Sequence, residues 1–325
     1  MTERTLEEVI ENLRRQFGQE VLMRIGDEIQ PVPVISTGSL KVDRALGVGG
    51  IPRSRITELF GPEGAGKTTL AQHIVAEAQR LGDTAVYIDM EHKVDPEYMR
   101  ACGIDLEELV LSQPPNGTVA LDLVRQLAAS NQVGLIVVDS VAALSTSAEL
   151  DAAAGDHFIG IQARLMSQNL KSITPILGLS KAALLFINQT RFKIGVMYGN
   201  PETTPGGVAL KFYTSVRMRI QRIGRLGPKE NPTGIRSRVK IVKNCLAPPW
   251  RSAEIEIDFG KGISREGELL DLGTELGILV KSGNWYNYGE QRLGNGKEQS
   301  KAFLREHPDI AESLAGMLSA DIATA

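Results

Sequence analysis

Ile56-Thr57-Glu58-Leu59-Phe60-Gly61-Pro62-Glu63-Gly64-Ala65-Gly66-Lys67-Thr68-Thr69 decides the fold. A short strand-like run leads into G-x-x-x-x-G-K-[ST] over Gly61–Thr68, and a helical stretch, Thr69 to Ala78, follows at once. Glycines at these positions let consecutive N–H groups turn inward on phosphates, and the next helix adds the positive end of its dipole. Lys67 then reaches the β- and γ-phosphates, and the Thr68 hydroxyl is placed for Mg²⁺. The chain is read as binding a nucleoside triphosphate.

Working outward, all-apolar runs recur at Ala85–Ile88, Leu135–Val138 and Ala183–Ile187, separated by helical stretches. Strands apolar at every position are covered on both faces, so the expected fold is α/β, a mostly parallel central sheet flanked by helices. Val216–Gln221, Val239–Lys243 and Glu254–Phe259 follow with short turns and read as added antiparallel strands. Beyond Gly262 the pattern changes to small helices around 269–276 and 301–317, with a polar insert at Trp285–Tyr288. The expected organisation is an arm over 1–30, a core over 31–263 and a small C-terminal domain over 264–325.

The arm carries Leu6, Val9, Ile10, Leu13 and Phe17 at helical spacing, a stripe that needs a partner surface. Two partners stand open: its own body, or a neighbouring subunit as an exchanged element. With 325 residues, 42% apolar, and no run long enough to span a membrane, the chain reads as cytoplasmic. Cys102 and Cys245 have no neighbours at metal-ligand spacing and read as reduced thiols. The net charge of −3 hides a basic stretch, Arg217 to Lys243, in which nine cations meet only Glu230.

Asp139 ends the run Leu135–Val138, where a carboxylate at a strand's C-terminal end contacts Mg²⁺ in phosphate-binding folds. Glu91, in Asp89-Met90-Glu91-His92, is a candidate base for the attacking water, although any acidic loop has the same composition. Gln189 roots a long stretch with Arg191, Lys193, Gly195, Gly199, Gly206 and Gly207, and a second loop spans 151–160. Stretches of this kind are functional or plain surface loops, and an amide at the root could sense the γ-phosphate.

With Ile35–Leu40, Gly61–Thr69, Ile88–Pro96, Val137–Leu144 and above all Phe186–Lys211 in view, the sequence resembles the bacterial RecA recombinase family over nearly its whole length. The resemblance implies an ATP-dependent recombinase. It would form homo-oligomeric helical filaments on single-stranded DNA, pair them with homologous double-stranded DNA, exchange strands and hydrolyse ATP in a DNA-dependent way. It assigns phosphate contacts to the Gly61–Thr69 loop, Mg²⁺ to Thr68 and Asp139, the base to Glu91 and the γ-phosphate switch to Gln189. Asp95 and Tyr98 become adenine contacts. Arg164, Arg191, Lys193, Gly206 and Gly207 fall to single-stranded DNA, and Arg222, Arg238 and Lys240 to a secondary duplex-facing site. Phe212 matches a subunit contact, the N-terminal helix packs on the adjacent protomer, and an SOS-type repressor is a candidate partner.

The family presents a pair of lysines across the subunit interface to the neighbour's γ-phosphate. Here Lys243 keeps the first position and Cys245 replaces the second. A thiol supplies no cation for the transferred phosphoryl oxygens, so the alternative is a filament-forming DNA-binding scaffold with slow or lost turnover. Pro205, Val208 and Gln221 also depart from the family pattern.

Overall fold

The computed structural model of the chain describes residues 5–18, 22, 32–144, 160–192 and 202–324. It divides into two units, Met1–Pro33 and Val34–Ala325. In the first, α1 (Leu6–Phe17) starts at Thr5, whose hydroxyl accepts from the Glu8 N–H while the Glu8 carboxylate accepts from the Thr5 N–H. This reciprocal cap satisfies two donors that the first turn leaves unpaired. None of its residues is buried.

In the second unit, β1 (Val34–Ile35) pairs with β2 (Ile51–Pro52) on either side of α2 (Leu40–Leu46) in the chain. The main sheet takes β3 (Ile56–Gly61), β4 (Thr84–Asp89), β5 (Val110–Ser112), β6 (Val133–Asp139) and β7 (Ala183–Gln189). After a small ladder of β8 (Arg191–Phe192) and β9 (Glu202–Thr203), it resumes with β10 (Val216–Leu226), β11 (Gly234–Asn244), β12 (Ser252–Asp258) and β13 (Gly262–Ile263). The order is β13-β12-β11-β10-β3-β7-β6-β4-β5. It is parallel from β10 through β3 to β5 and antiparallel from β10 to β13.

β3 and β6 are buried along their whole length because both faces are covered. On one face Leu59, Tyr87, Val137 and Leu185 share a core with Leu70, Ile74 and Ala78 of α3 (Lys67–Arg80). On the other, Val86, Ile136, Val138 and Phe186 join Leu121 and Val124 of the helix Gly117–Ser130 and Met166, Leu170 and Ile173 of the helix Ile161–Gly178. β10 and β11 alternate instead, burying Val216, Met218, Ile220, Val239 and Ile241 and turning arginines outward.

The polar insert at Trp285–Tyr288 proves to be a strand, β15, between β14 (Val280–Ser282) and β16 (Gln291–Asn295). Gly283 and Gly289, at φ 60 and 58, make the two turns, and buried Tyr286 joins Leu269, Leu293, Leu304 and Leu314 in a separate core. The stretch read around 301–317 is two helices, Lys297–Glu306 and Pro308–Thr324. Proline has no N–H for an intrahelical bond and suits a first helical position, so the chain restarts there.

Polar bonds join this domain to the rest of its unit: Ser39 Oγ donates to Glu268 Oε1, Lys41 pairs with Asp271 and Lys297 with Glu256. Burial raises the Glu268 carboxyl from its ordinary 4.5 to about 7, against the lowering effects of the Ser39 bond and the Lys41 charge. A folded-state value above the unfolded one means stability present at acid pH and lost as pH rises through about 7. Glu268→Gln is therefore expected to flatten the decline of melting temperature across that window, read by thermal scans at stepped pH.

Candidate active site and nucleic-acid interface

Register sets the C-terminal ends of four strands side by side, Gly61 opposite Gln189 and Asp89 opposite Asp139. The loops leaving these ends meet in a cleft of about 270 Å³ lined by Glu63, Gly64, Gly66, Lys67, Thr68, Thr69, Glu91, Lys93, Asp139 and Gln189. A larger cleft of about 610 Å³ holds none of the motif residues, and its Arg44 is already paired with Glu275.

The loop is shaped by its glycines. Gly66 sits at φ 94, and a Cβ there would come within 2.3 Å of Ile257 Cδ1. At Gly61 a Cβ would come within 2.0 Å of the Ile220 carbonyl oxygen. Ser237 Oγ donates to the Ala65 carbonyl at 2.9 Å, tying the loop to β11. No side chain caps α3, so its first N–H groups are left for a ligand, and an anion suits the dipole there. Lys67 Nζ donates to the Pro62 carbonyl at 2.8 Å. Burial lowers its pKa, opposed by the charges of Asp139, Glu91 and Glu63.

Thr68 Oγ1 donates to Asp139 Oδ2 at 3.0 Å, and Tyr87 OH donates to the same oxygen at 2.8 Å. Burial raises the Asp139 pKa, the two hydroxyl bonds lower it, and the charges of Glu91 and Asp89 raise it again. A hydroxyl and a crowded carboxylate converging on one point fit a small hard cation. Among the described residues no cluster of three His, Cys, Asp or Glu could hold a metal alone.

Glu91 is more elaborately held than its loop composition implies. Its Oε1 accepts from Ser140 Oγ at 2.7 Å and from Gln189 Nε2 at 3.0 Å, and its Oε2 lies 3.0 Å from Lys93 Nζ. Burial works to raise its pKa, but the Ser140, Lys93 and Gln189 bonds and the Lys93 charge outweigh it, so the carboxyl stays ionised below the ordinary range. Asp95 caps the helix Pro96–Ala101 by accepting from the Glu97 and Tyr98 N–H groups. Tyr98 OH reaches Thr69 Oγ1 at 2.8 Å, just outside the cleft lining.

Ser140, Tyr87 and Lys93 were given no role from sequence. Tyr87 reads as one more apolar strand residue, and Ser140 as the residue after a motif. Lys93, two positions beyond Glu91, was the one legible signal.

The nucleic-acid residues are partly assembled. Lys193 and residues 151–159 lie outside the described residues. Gly206 N–H donates to Gln162 Oε1 at 3.3 Å, and a Cβ on Gly207 would be 2.6 Å from Ala163 Cβ. Both glycines thus seat against the first turn of the helix that carries exposed Arg164. Arg191 pairs across β8–β9 with Thr203.

The basic stretch is less one-sided in space than in sequence, because other elements supply acids. Arg217 pairs with Glu58, Arg219 with Glu202, Arg236 with Glu256 and Arg238 with Glu254. Lys240 Nζ lies 5.4 Å from the Trp250 ring centre, and Arg222 is exposed.

Lys243 Nζ donates to the carbonyls of Lys211 and Phe212 at 2.9 and 3.1 Å, capping the helix Gly207–Tyr213. Exposed Cys245 follows β11. Because Asn244 lies opposite Val216, and Val216 opposite Thr57, this turn stands at the end of the sheet away from Gly61.

A family model described as the RecA N-terminal domain matches residues 4–264, and one described as the RecA C-terminal domain matches 267–322. Among curated proteins named Protein RecA, that of Rubrobacter xylanophilus is 53% identical over 312 residues, 96% of this chain and 91% of its own. That of Symbiobacterium thermophilum is 49% identical over 316 residues, 96% of this chain and 90% of its own. That of Paracoccus denitrificans is 48% identical over 320 residues, 98% and 90% of the two chains. The crystal structure of the RadB recombinase superposes with a TM-score of 0.53 at 21% identity, over 71% of this chain and 98% of that one, a likeness of fold.

Proposed function

This chain belongs to the RecA family, and from that premise we propose that its cleft is one half of an ATP site that a neighbouring copy completes and DNA switches on. The protein is an ATP-dependent DNA recombinase that forms filaments on single-stranded DNA, promotes pairing and strand exchange, and is a DNA-dependent ATPase. The observation that carries the coupled reading is the 3.0 Å bond from Gln189 to Glu91. It joins the root of the long loop to the carboxylate best placed to take a proton from water.

The open first turn of α3 and Lys67 receive the β- and γ-phosphates. Thr68 and Asp139 would hold Mg²⁺, which when bound neutralises charge on the phosphate oxygens. Glu91 orients the attacking water and accepts its proton, with Ser140 and Lys93 fixing its two oxygens. A γ-phosphate oxygen competes for Gln189 Nε2, which frees Glu91 Oε1 and shifts the loop root. Asp95 and Tyr98 border the adenine side.

Single-stranded DNA is assigned to Arg164, Arg191, Lys193, Gly206 and Gly207, and the second duplex to Arg222, Arg238 and Lys240. Affinity there falls as salt rises. On the same reading 1–30 is an oligomerisation arm, 31–263 the core and 264–325 a small domain. An SOS-type repressor is a further partner, and the site of action is the cytoplasm.

Cys245 favours a second reading, a scaffold that binds ATP but turns it over slowly. Phosphate release measured with and without single-stranded DNA separates the two. We expect DNA stimulation, and a further rise of about tenfold or more in Cys245→Lys, because the restored cation acts on the neighbour's phosphate. Absent stimulation leaves the scaffold, and an unchanged Cys245→Lys rate removes the trans-cation argument.

A further inference from the structure

We infer that Asn188 is a positioning residue that links the cleft to the returning end of the loop after Gln189, an inference that rests on the proposed DNA-coupled ATPase. Neighbours on a strand point to opposite faces. Gln189 reaches Glu91 while Asn188, fully buried, turns the other way. Its Nδ2 donates to Glu58 Oε1 at 2.9 Å and to the Pro205 carbonyl at 3.0 Å, and its Oδ1 accepts the Gln189 N–H at 2.9 Å. Both amide protons and the carbonyl are therefore engaged.

One side of this arrangement is fixed. Glu58 is fully buried on β3 and held by Arg217 Nε at 2.5 Å, whose guanidinium lies 4.5 Å from the Phe60 ring centre. The other side belongs to the loop, since Pro205 immediately precedes Gly206 and Gly207, the glycines seated against Gln162 and Ala163. Any shift of the Gln189 backbone strains the Asn188 amide between a rigid carboxylate and a loop carbonyl. The loop carbonyl is the partner free to follow.

The double substitution Asn188→Asp with Glu58→Gln breaks that bond while keeping one between positions 58 and 188. It exchanges donor and acceptor between the two side chains and keeps an acceptor for the Gln189 N–H, while the Pro205 carbonyl loses its donor and meets a carboxylate oxygen, and Arg217 faces an amide oxygen in place of the Glu58 carboxylate. The expected result is a folded protein with a lowered melting temperature, a fluorescent ATP-analogue affinity near that of the unsubstituted chain, and a KM for ATP within about threefold. The kcat with single-stranded DNA is expected to fall about tenfold or more. Full DNA stimulation in the folded double variant overturns the inference. No stimulation in the unsubstituted chain overturns the proposed function, and the inference with it.

Hydrogen exchange on the unsubstituted chain reads the same link without any substitution. A non-hydrolysable ATP analogue, added without DNA, is expected to change exchange at the Gly206 and Gly207 amides, and unchanged exchange there overturns the link.

Discussion

Glu91→Gln leaves nucleotide bound and slows DNA-stimulated hydrolysis by about 10²–10⁴-fold, the range a positioned general base contributes. The substitution preserves shape and removes the ability to accept a proton. It also leaves Lys67, Thr68 and the first turn of α3 untouched, so analogue affinity should barely move. The bonds from Ser140 and Gln189 to Oε1 and from Lys93 to Oε2 hold the wild-type carboxyl ionised below the ordinary carboxylate range. The acid limb of its kcat/KM profile, which reports the free enzyme, should accordingly fall below that range and disappear in the variant. A variant rate within threefold of wild type would assign the proton to another group.

Glu58→Ala should destabilise the fold by about 3–5 kcal/mol, because it leaves a largely buried guanidinium without its carboxylate. Glu58 is fully buried and Arg217 is 14% exposed, stacked against Phe60. In a chain of this size the loss corresponds to a drop of about 4–7 °C in melting temperature. Replacing both charged partners, Glu58→Leu with Arg217→Met, should recover part of it, since the stranded charge is gone while the buried Asn188 amide still lacks its Glu58 acceptor. A thermal scan in which the single substitution shifts the midpoint by less than 2 °C would contradict the buried-pair account.

The cleft was legible where chemistry and spacing coincide. Gly61–Thr68, Asp139, Glu91 and Gln189 each lie at or just past the end of an apolar run, and parallel strands bring such ends to one edge. The relations among them were not legible. Glu58 carries no signal of its own within the run Ile56–Phe60, and its partners Arg217 and Asn188 lie far along the chain. The same blindness made the basic stretch look unopposed, because Glu202, Glu254 and Glu256 come from other strands. In the C-terminal domain, Trp285–Tyr288 looked like a polar insert because a short strand between two glycine turns has too few residues to display its period.

The Cys245 turn stands at the opposite end of the sheet from the phosphate loop, so on the proposed reading a subunit's trans donor position and its own phosphate site lie at different ends. Subunits joined head to tail in this way need not close on themselves. With sites completed across the proposed interface, every such open chain would have one completed catalytic site fewer than its number of members. Short oligomers would then be disproportionately idle, and specific activity per subunit would climb with assembly length even with DNA and nucleotide in excess.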